Sequence, residues 1–262
     1  MLIDANDVPG DVRADVCIVG GGAAGITLAL ELANAQLSVV VLESGDTERE
    51  ESVEALAGGV TTGRSYPLAT TRLRYLGGAT NHWSGFCRPL DPIDFEPRPW
   101  IPYSGWPFSR AELDPYYGRA QTVCGLGPFE YDVDWWQERV GLETLPDDGV
   151  LATALYQVSP PVRFGEEYRP ALTAAANVDV YLHADVVGLD LAPDGEAVSR
   201  ARVATLAGNS WSASARVFVL AAGAIEVARL LLTSRDQQPE GIGNANDLIG
   251  RFFMEHPHMP RA

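Results

Sequence analysis

The apolar positions of this chain fall into runs that predict different parts of its fold. Val16 to Val19 is a short apolar run ending in Gly20-Gly21-Gly22. From about Ala23 to Ala35 apolar residues dominate, and Thr27, Glu31 and Asn34 recur at i, i+4 and i+7. One narrow polar stripe of this kind predicts a helix packed on a parallel sheet. A second apolar run, Val39 to Leu42, ends at Glu43. Strand, glycine turn, helix, strand and acid therefore follow one another.

The middle of the chain is less regular. Residues 46–57 are charged and read either as a short exposed helix or as a solvated connector, with four acids near the start where a helix dipole favours them. Residues 58–84 are rich in glycine and threonine and predict a loop. Residues 85–109 hold six prolines and several aromatics. Prolines at that density exclude regular helix or strand interior over most of the stretch. Ser109 and Glu112 have capping-box spacing and predict a helix to about Cys124, with Pro115 near its first turns as a point of shortening or kinking. A short helix is expected over Asp132 to Val140.

Strand patterns then return. Leu151 to Val158 is a candidate strand, followed by a helix from about Tyr168 to Ala176. Val178 to Leu182, Asp185 to Leu191, Val198 to Leu206 and Ser210 to Ala215 read as strands, with turns at Pro193-Asp194-Gly195 and Gly208-Asn209. These predict an antiparallel meander. Val217 to Leu220 is a buried strand entering Ala221-Ala222-Gly223, with an apolar helix from about Ile225 to Leu232. The fold class expected is α/β, a parallel sheet with helices plus an antiparallel β-meander.

Composition narrows the function classes. The 262 residues are 46% hydrophobic, enough for one large domain or two small ones. A net charge of −16 without a basic cluster argues against a nucleic-acid partner. Three cysteines do not make a disulfide framework, and Cys17 reads as a small core residue within the first strand. No Cys/His cluster has metal-ligand spacing. The stretch MLIDANDVPGDV lacks an apolar signal core, and no run has the length of a membrane span. A cytoplasmic location is the expectation.

The chemistry concentrates at two glycine clusters. Gly20, Gly22 and Gly25 stand at the G-x-G-x-x-G spacing, with a strand before, a helix after and an acid at the second strand's end. Gly20 lets the chain turn, Gly22 admits a pyrophosphate to the backbone, and Gly25 lets helix and strand approach. The helix start at Ala23 and Ala24 offers free N–H groups to phosphates. Glu43 is placed to accept from a ribose hydroxyl and would repel a 2′-phosphate. The second cluster, Gly77-Gly78, allows close backbone approach to a ligand and is followed by Thr80, Asn81, His82, Trp83 and Ser84.

In combination, the fingerprint ending in Glu43-Ser44-Gly45, LGGATNHWSG, RPLDPIDFEPRPW, SGWPFSRAELDPYY, the Ala-Ala-Gly turn and GRFFMEHP resemble the glucose-methanol-choline (GMC) oxidoreductases, in particular their bacterial sugar and alcohol members. The resemblance covers nearly the whole chain. It implies a Rossmann-like FAD-binding fold and oxidation of an alcohol or sugar CH–OH group by hydride transfer to flavin N5. It places Gly20, Gly22, Ala23, Ala24, Gly25, Glu43 and Ser44 at the pyrophosphate and ribose. Gly77 and Gly78 fall beside the flavin, and Asn81, His82, Trp83 and Ser84 face its ring. Val186 or Val187 would meet the adenine, and Ala222 and Gly223 would lie near the cofactor. In some members a histidine in a similar T-H-W sequence is bonded covalently to the flavin. His82 is thus marked for a covalent link, a non-covalent contact or a purely structural role.

The family's proton-abstracting histidine lies in a C-terminal half that has no counterpart here, so the catalytic base is unassigned. The resemblance makes His256 a positional residue, and neither it nor His258 is expected to be catalytic. Residues 1–84 and 178–236 are expected to form the FAD-binding domain. Residues 85–177 would be an inserted lid or interface segment, and 237–262 the start of a truncated substrate domain. Two readings follow: the FAD-binding half of an alcohol or sugar oxidoreductase, with a C-terminal half as a separate chain among its expected partners, or a non-catalytic FAD-binding fragment. A nicotinamide-dependent reductase would require a second G-x-G-x-x-G and, for the disulfide reductases, a C-x-x-x-x-C pair, which the sequence lacks.

Overall fold

The computed structural model describes residues 1–141, 143–144, 149–150 and 152–255. Its strands are β1 (Leu2–Asp4), β2 (Val12–Val19), β3 (Val39–Leu42), β4 (Phe86–Cys87), β5 (Gln157–Val158), β6 (Val178–Leu182), β7 (Asp185–Leu191), β8 (Val198–Ala204) and β9 (Ser210–Leu220). Its α-helices are α1 (Ala23–Glu31), α2 (Glu51–Glu54), α3 (Asp114–Val123), α4 (Val133–Val140), α5 (Phe164–Glu167), α6 (Arg169–Ala174) and α7 (Ala224–Thr233). The chain divides into two units, Met1–Asn81 with everything from Arg163 onward, and His82–Val162.

The larger unit is built on a seven-stranded sheet in the order β1-β6-β3-β2-β9-β8-β7. The pairs from β1 through β9 are parallel, and β9-β8-β7 is an antiparallel meander. This is the α/β class with a mostly parallel sheet that the pattern predicts. β3 is buried at every position, as a strand covered on both faces must be. Ile18, Leu42, Val178 and Val203 belong to its core. β8 pairs with β9 only as far as Arg200 opposite Ser214, while β9 continues along β2 to Leu220. Among the described residues, the last part of β9 therefore has a ladder on one side only.

Several boundaries differ from the sequence expectation. α1 ends at Glu31 rather than Ala35, because Asn34 adopts φ 65° and Asn177 Nδ2 donates to the carbonyls of Leu32, Ala35 and Leu37. Leu28 and Leu30 are only half-buried, so α1 is less enclosed than one polar stripe implies. The charged stretch after β3 forms α2 and a following 3-10 turn with Val53, Glu54 and Ala57 buried. The two runs expected around Arg216 are one strand, since Arg216 ion-pairs with Asp15 beside it on β2. The helix expected over 168–176 is α6, with Pro170 in its first turn, where its missing N–H costs nothing, and the short α5 just before it was not expected. β1 carries no sequence pattern and forms through its pairing with the distant β6.

In the smaller unit, α3 and α4 lie close to expectation. The Ser109–Glu112 capping box opens a 3-10 turn, α3 follows with Pro115 in its first turn, and Asp132 caps α4. The strand expected over 151–158 reduces to β5, with Leu151 outside the described residues. Its partner β4 runs into Pro89, which has no N–H to continue the ladder.

Candidate functional site

The site in the larger unit grows from the turn between β2 and α1. Gly20 has φ +107°, and a Cβ there would meet Ala221 O at 2.7 Å and Ala222 Cα at 2.9 Å. The second strand-turn-helix segment is thereby held against the first. A Cβ on Gly25 would fall 1.9 Å from Gly20 O, so α1 packs on the turn closely enough to exclude any side chain. Gly22 is the opposite case, because nothing lies within 4 Å of the place its Cβ would take. It is also the N-cap of α1 and supplies no side-chain acceptor. Ala23 and Ala24 are exposed beside it. The first-turn N–H groups are thus left for an outside anion, favoured by the helix dipole.

The second glycine cluster closes on this turn. Gly77 N–H donates to Gly21 O at 2.8 Å, and Gly22 and Gly77 form a parallel bridge. Gly78 has φ +52°, with its Cβ position 3.2 Å from Gly22 Cα. Asn81 Nδ2 donates to Leu76 O at 3.0 Å and so braces the loop from behind. Gly165, unmarked in the sequence, is required as well, since a Cβ there would lie 2.0 Å from Leu76 O.

Glu43 is 5% exposed and its carboxylate is already engaged. One oxygen accepts from Gly21 N–H at 2.7 Å, the other from Gly45 N–H at 3.0 Å and Ser44 Oγ at 3.3 Å. Burial pushes its pKa up, against these donors and Arg74. The acid at the end of β3 therefore ties the glycine turn to the Ser44-Gly45 turn. Val187 sits at a bulge in β7, between the registered pairs of Val186 and Gly188, and is 52% exposed. Gly223 has φ +81° and open space at its Cβ position.

An ion cluster that the sequence reading missed fixes the loop before Gly77. Arg74 reaches Asp185 Oδ1 at 2.8 Å and Glu226 Oε2 at 3.4 Å, and its N–H donates to Glu54 Oε1 at 2.9 Å. Arg72 pairs with the other Glu226 oxygen, and Arg229 Nε meets Glu226 Oε2 at 2.7 Å. Despite burial, the three arginines hold the Glu226 carboxyl below the usual range. Asp185 is pushed up by burial, with Arg74 opposing. The available signal was two arginines just before a glycine pair, and a lone acid in the first turn of α7 with Arg229 three residues on.

His82, Trp83 and Ser84 belong to the smaller unit. His82 and Ser84 are exposed, and Trp83 Nε1 donates to Val162 O at 3.1 Å. His256 and His258 lie outside the described residues. No cluster of metal-ligating side chains occurs among the described residues, and no helix there is long and apolar enough to cross a membrane.

The open face over Gly22, the uncapped start of α1 and the close passage of Gly77-Gly78 fit the pyrophosphate of a dinucleotide. Comparison with known proteins agrees. The model of the FAD dependent oxidoreductase (DAO) family matches residues 15–240. The chain is 24% identical to 2-methyl-1,2-propanediol dehydrogenase of Mycolicibacterium austroafricanum, over 93% of this chain and 55% of that protein. It is 28% identical to 6'''-hydroxyparomomycin C oxidase of Streptomyces lividus, over 90% of this chain and 53% of that protein. The chain spans about half the length of the curated relatives it matches. Among solved structures, pyridoxine 4-oxidase from Mesorbium loti superposes with a TM-score of 0.56 at 22% identity, over 84% of this chain and 51% of that one. These findings bear out the resemblance to the GMC oxidoreductases. With the family model covering most of its length, the chain belongs to the FAD dependent oxidoreductases.

Proposed function

We propose that this chain is the cofactor-holding part of an enzyme that oxidises a CH–OH group of a sugar, polyol or other alcohol. The observation that carries this reading is the open, uncapped turn at Gly22, closed on one side by Gly77-Gly78. Bound FAD supplies the acceptor of the hydride. The chain's own residues bind and orient. The amides of Ala23 and Ala24 take the pyrophosphate, and Glu43 with Ser44 takes the adenosine ribose. The bulged backbone at Val187 takes the adenine. Ala222 and Gly223 would line the cofactor, and the resemblance to the family assigns Asn81, His82, Trp83 and Ser84 to the flavin, with His82 the position for a covalent or non-covalent contact. In domain terms, residues 1–84 and 178–236 hold FAD, 85–177 are an insert, and 237–262 begin the substrate side.

Equilibrium titration of the purified chain with FAD tests the binding, read by the change in flavin fluorescence. Saturable binding that is lost in Gly22→Val supports the reading, and absence of any saturable binding overturns it. Denaturation of the flavin-loaded protein decides the His82 bond. Yellow colour remaining on the polypeptide supports a covalent link, and complete release of flavin rejects it.

A second reading, a non-catalytic FAD-binding fragment or one half of a split enzyme, is favoured by coverage of only about half of each relative. A separate chain supplying the other half would find the one-sided end of β9 open to it. Dye reduction with alcohols and sugars separates the two readings. Turnover by the chain alone supports the first, while FAD binding without turnover supports the second. A cytoplasmic location goes with either, supported by three free cysteines.

A further inference from the structure

The smaller unit holds a cavity of about 360 Å³ that the cofactor site does not use. Three separate segments wall it. Arg88 comes directly after β4, Arg110 lies in the 3-10 turn before α3, and residues 129–132 lie between α3 and α4. Its volume is near the lower end of small-molecule sites, which run from about 300 to 1,000 Å³, and suits a compact guest.

The protein holds each polar wall group and leaves part of it unused. Glu130 Oε1 accepts from the N–H groups of Tyr131 at 2.9 Å and Asp132 at 2.8 Å. Asp132 Oδ1 accepts from Trp135 N–H at 2.8 Å. Arg88 donates to Leu155 O at 3.2 Å and to Asp91 Oδ1 at 2.5 Å, and Arg110 Nε donates to Asp114 Oδ1 at 3.2 Å. Glu130 Oε2, Asp132 Oδ2, Arg88 Nε and both Nη groups of Arg110 have no partner among the described residues. The aromatic part of the wall is fixed as well. The Tyr131 hydroxyl donates to Gln121 Oε1 at 2.9 Å, and the Phe129 ring stacks on Tyr117 and meets Tyr131 edge-on, with centroids 6.2 and 5.9 Å apart.

We propose that this cavity binds a pyranose ring of a neutral carbohydrate. Its lining disfavours the other classes of guest. Three carboxylates, Asp91, Glu130 and Asp132, outnumber the guanidinium groups of Arg88 and Arg110, so an anion meets a net negative wall. An alkylammonium would use the carboxylates and leave both guanidinium groups facing a cation. A purely apolar guest would strip water from ionised groups and give no hydrogen bond in return. No cluster of metal-ligating side chains occurs among the described residues. A hydroxyl both donates and accepts, and in this one cavity it finds unused carboxylate oxygens and unused guanidinium N–H groups. Phe129 and Tyr131 supply aromatic surface for the apolar C–H side of a sugar ring. Because the wall groups are already held, binding immobilises few side chains, which keeps its entropic cost low. Binding of this kind requires no flavin and is independent of the oxidation reading.

Saturation-transfer NMR and calorimetric titration of the flavin-free full chain with glucose, galactose and mannose test it. Saturable binding of at least one sugar is expected. It should weaken about tenfold or more in Arg110→Gln and in Glu130→Gln, which retains the Oε1 acceptor. Both variants should give the wild-type flavin titration, which separates this cavity from the glycine turns. In the unsubstituted chain the bound sugar should slow modification of Arg110 by phenylglyoxal, read by peptide mapping. No saturable binding of any of the three sugars, wild-type sugar affinity in both variants, an unprotected Arg110, or tighter binding of inorganic phosphate or ethylamine than of every sugar would each overturn the proposal, whatever the flavin titration gives.

Discussion

Gly78 lies against Gly22, so that a side chain on the first would come within 3.2 Å of the second's α-carbon. Two segments more than fifty residues apart thus form the two sides of one cradle. Gly22 and Gly25 play different parts in it, and substitution separates them. Gly22→Ala meets open space and should change the apo protein's stability by less than about 1 kcal/mol. Its methyl would enter the place proposed for the pyrophosphate, and FAD should bind roughly tenfold or more weakly, about 1.4 kcal/mol per decade. Gly25→Ala puts a methyl into Gly20 O and should cost about 3 kcal/mol. Urea unfolding of both apo variants with flavin titration checks the contrast, and similar unfolding midpoints would contradict it.

Glu43 accepts two backbone N–H groups that no other described group satisfies. Glu43→Gln keeps the shape but turns one acceptor into a donor facing an N–H. A buried donor left without a partner costs about 1–3 kcal/mol. The variant should be destabilised by that amount and bind FAD more weakly. Unchanged stability would mean that the turn is held by other groups.

Glu226 is the shared anion of Arg72, Arg74 and Arg229. Glu226→Ala leaves three cations together with their common partner gone, which should cost roughly 2–3 kcal/mol for so enclosed a cluster. Because Arg72 and Arg74 lead directly into Leu76-Gly77-Gly78, FAD affinity should fall as well, and Glu226→Asp should recover part of both losses. Restored stability without restored affinity would disconnect the cluster from the cradle.

His183 joins Asp4 at 3.3 Å and Glu50 at 2.9 Å at the turn between β6 and β7. Burial works to lower its pKa, but the bonds to Glu50 and Asp4 outweigh it and the net shift is upward. A raised folded pKa stabilises the protein fully below the unfolded value, about 6.5, and the contribution disappears as pH rises through the folded value. The stability gap between wild type and His183→Gln should therefore be wide at acid pH and narrow toward alkaline pH. Denaturant midpoints across that range measure it, and a gap that widens with pH refutes the assignment.

The sequence made the β2-α1-β3 unit readable because its signals are local: apolar runs, glycine spacing and an acid at the strand end. The meander β7-β8-β9 was readable for the same reason, through Gly195 and Gly208. Features fixed by distant pairing were not. β1 has three residues and no pattern, and it exists because β6 lies beside it. α1 stops where it does because of Asn177, far along the chain. In the site, the turn glycines were legible one by one. The closure of Gly77-Gly78 on Gly22, the need for Gly165 and the salt-bridged arginines were not, because each depends on a neighbour that folding alone supplies.

The one-sided end of β9 should leave a signature in hydrogen exchange. Ala221 N–H donates to Val19 O, so by the alternation of a strand the amides of Val217 and Val219 also turn toward β2. Those of Phe218 and Leu220 point the other way, beyond the last residue that β8 reaches. A strand in the middle of the sheet order should thus show slow and fast amides in strict alternation over its last turn of sequence. Whatever segment comes to lie along that edge would convert the fast set to slow and leave the other set unchanged.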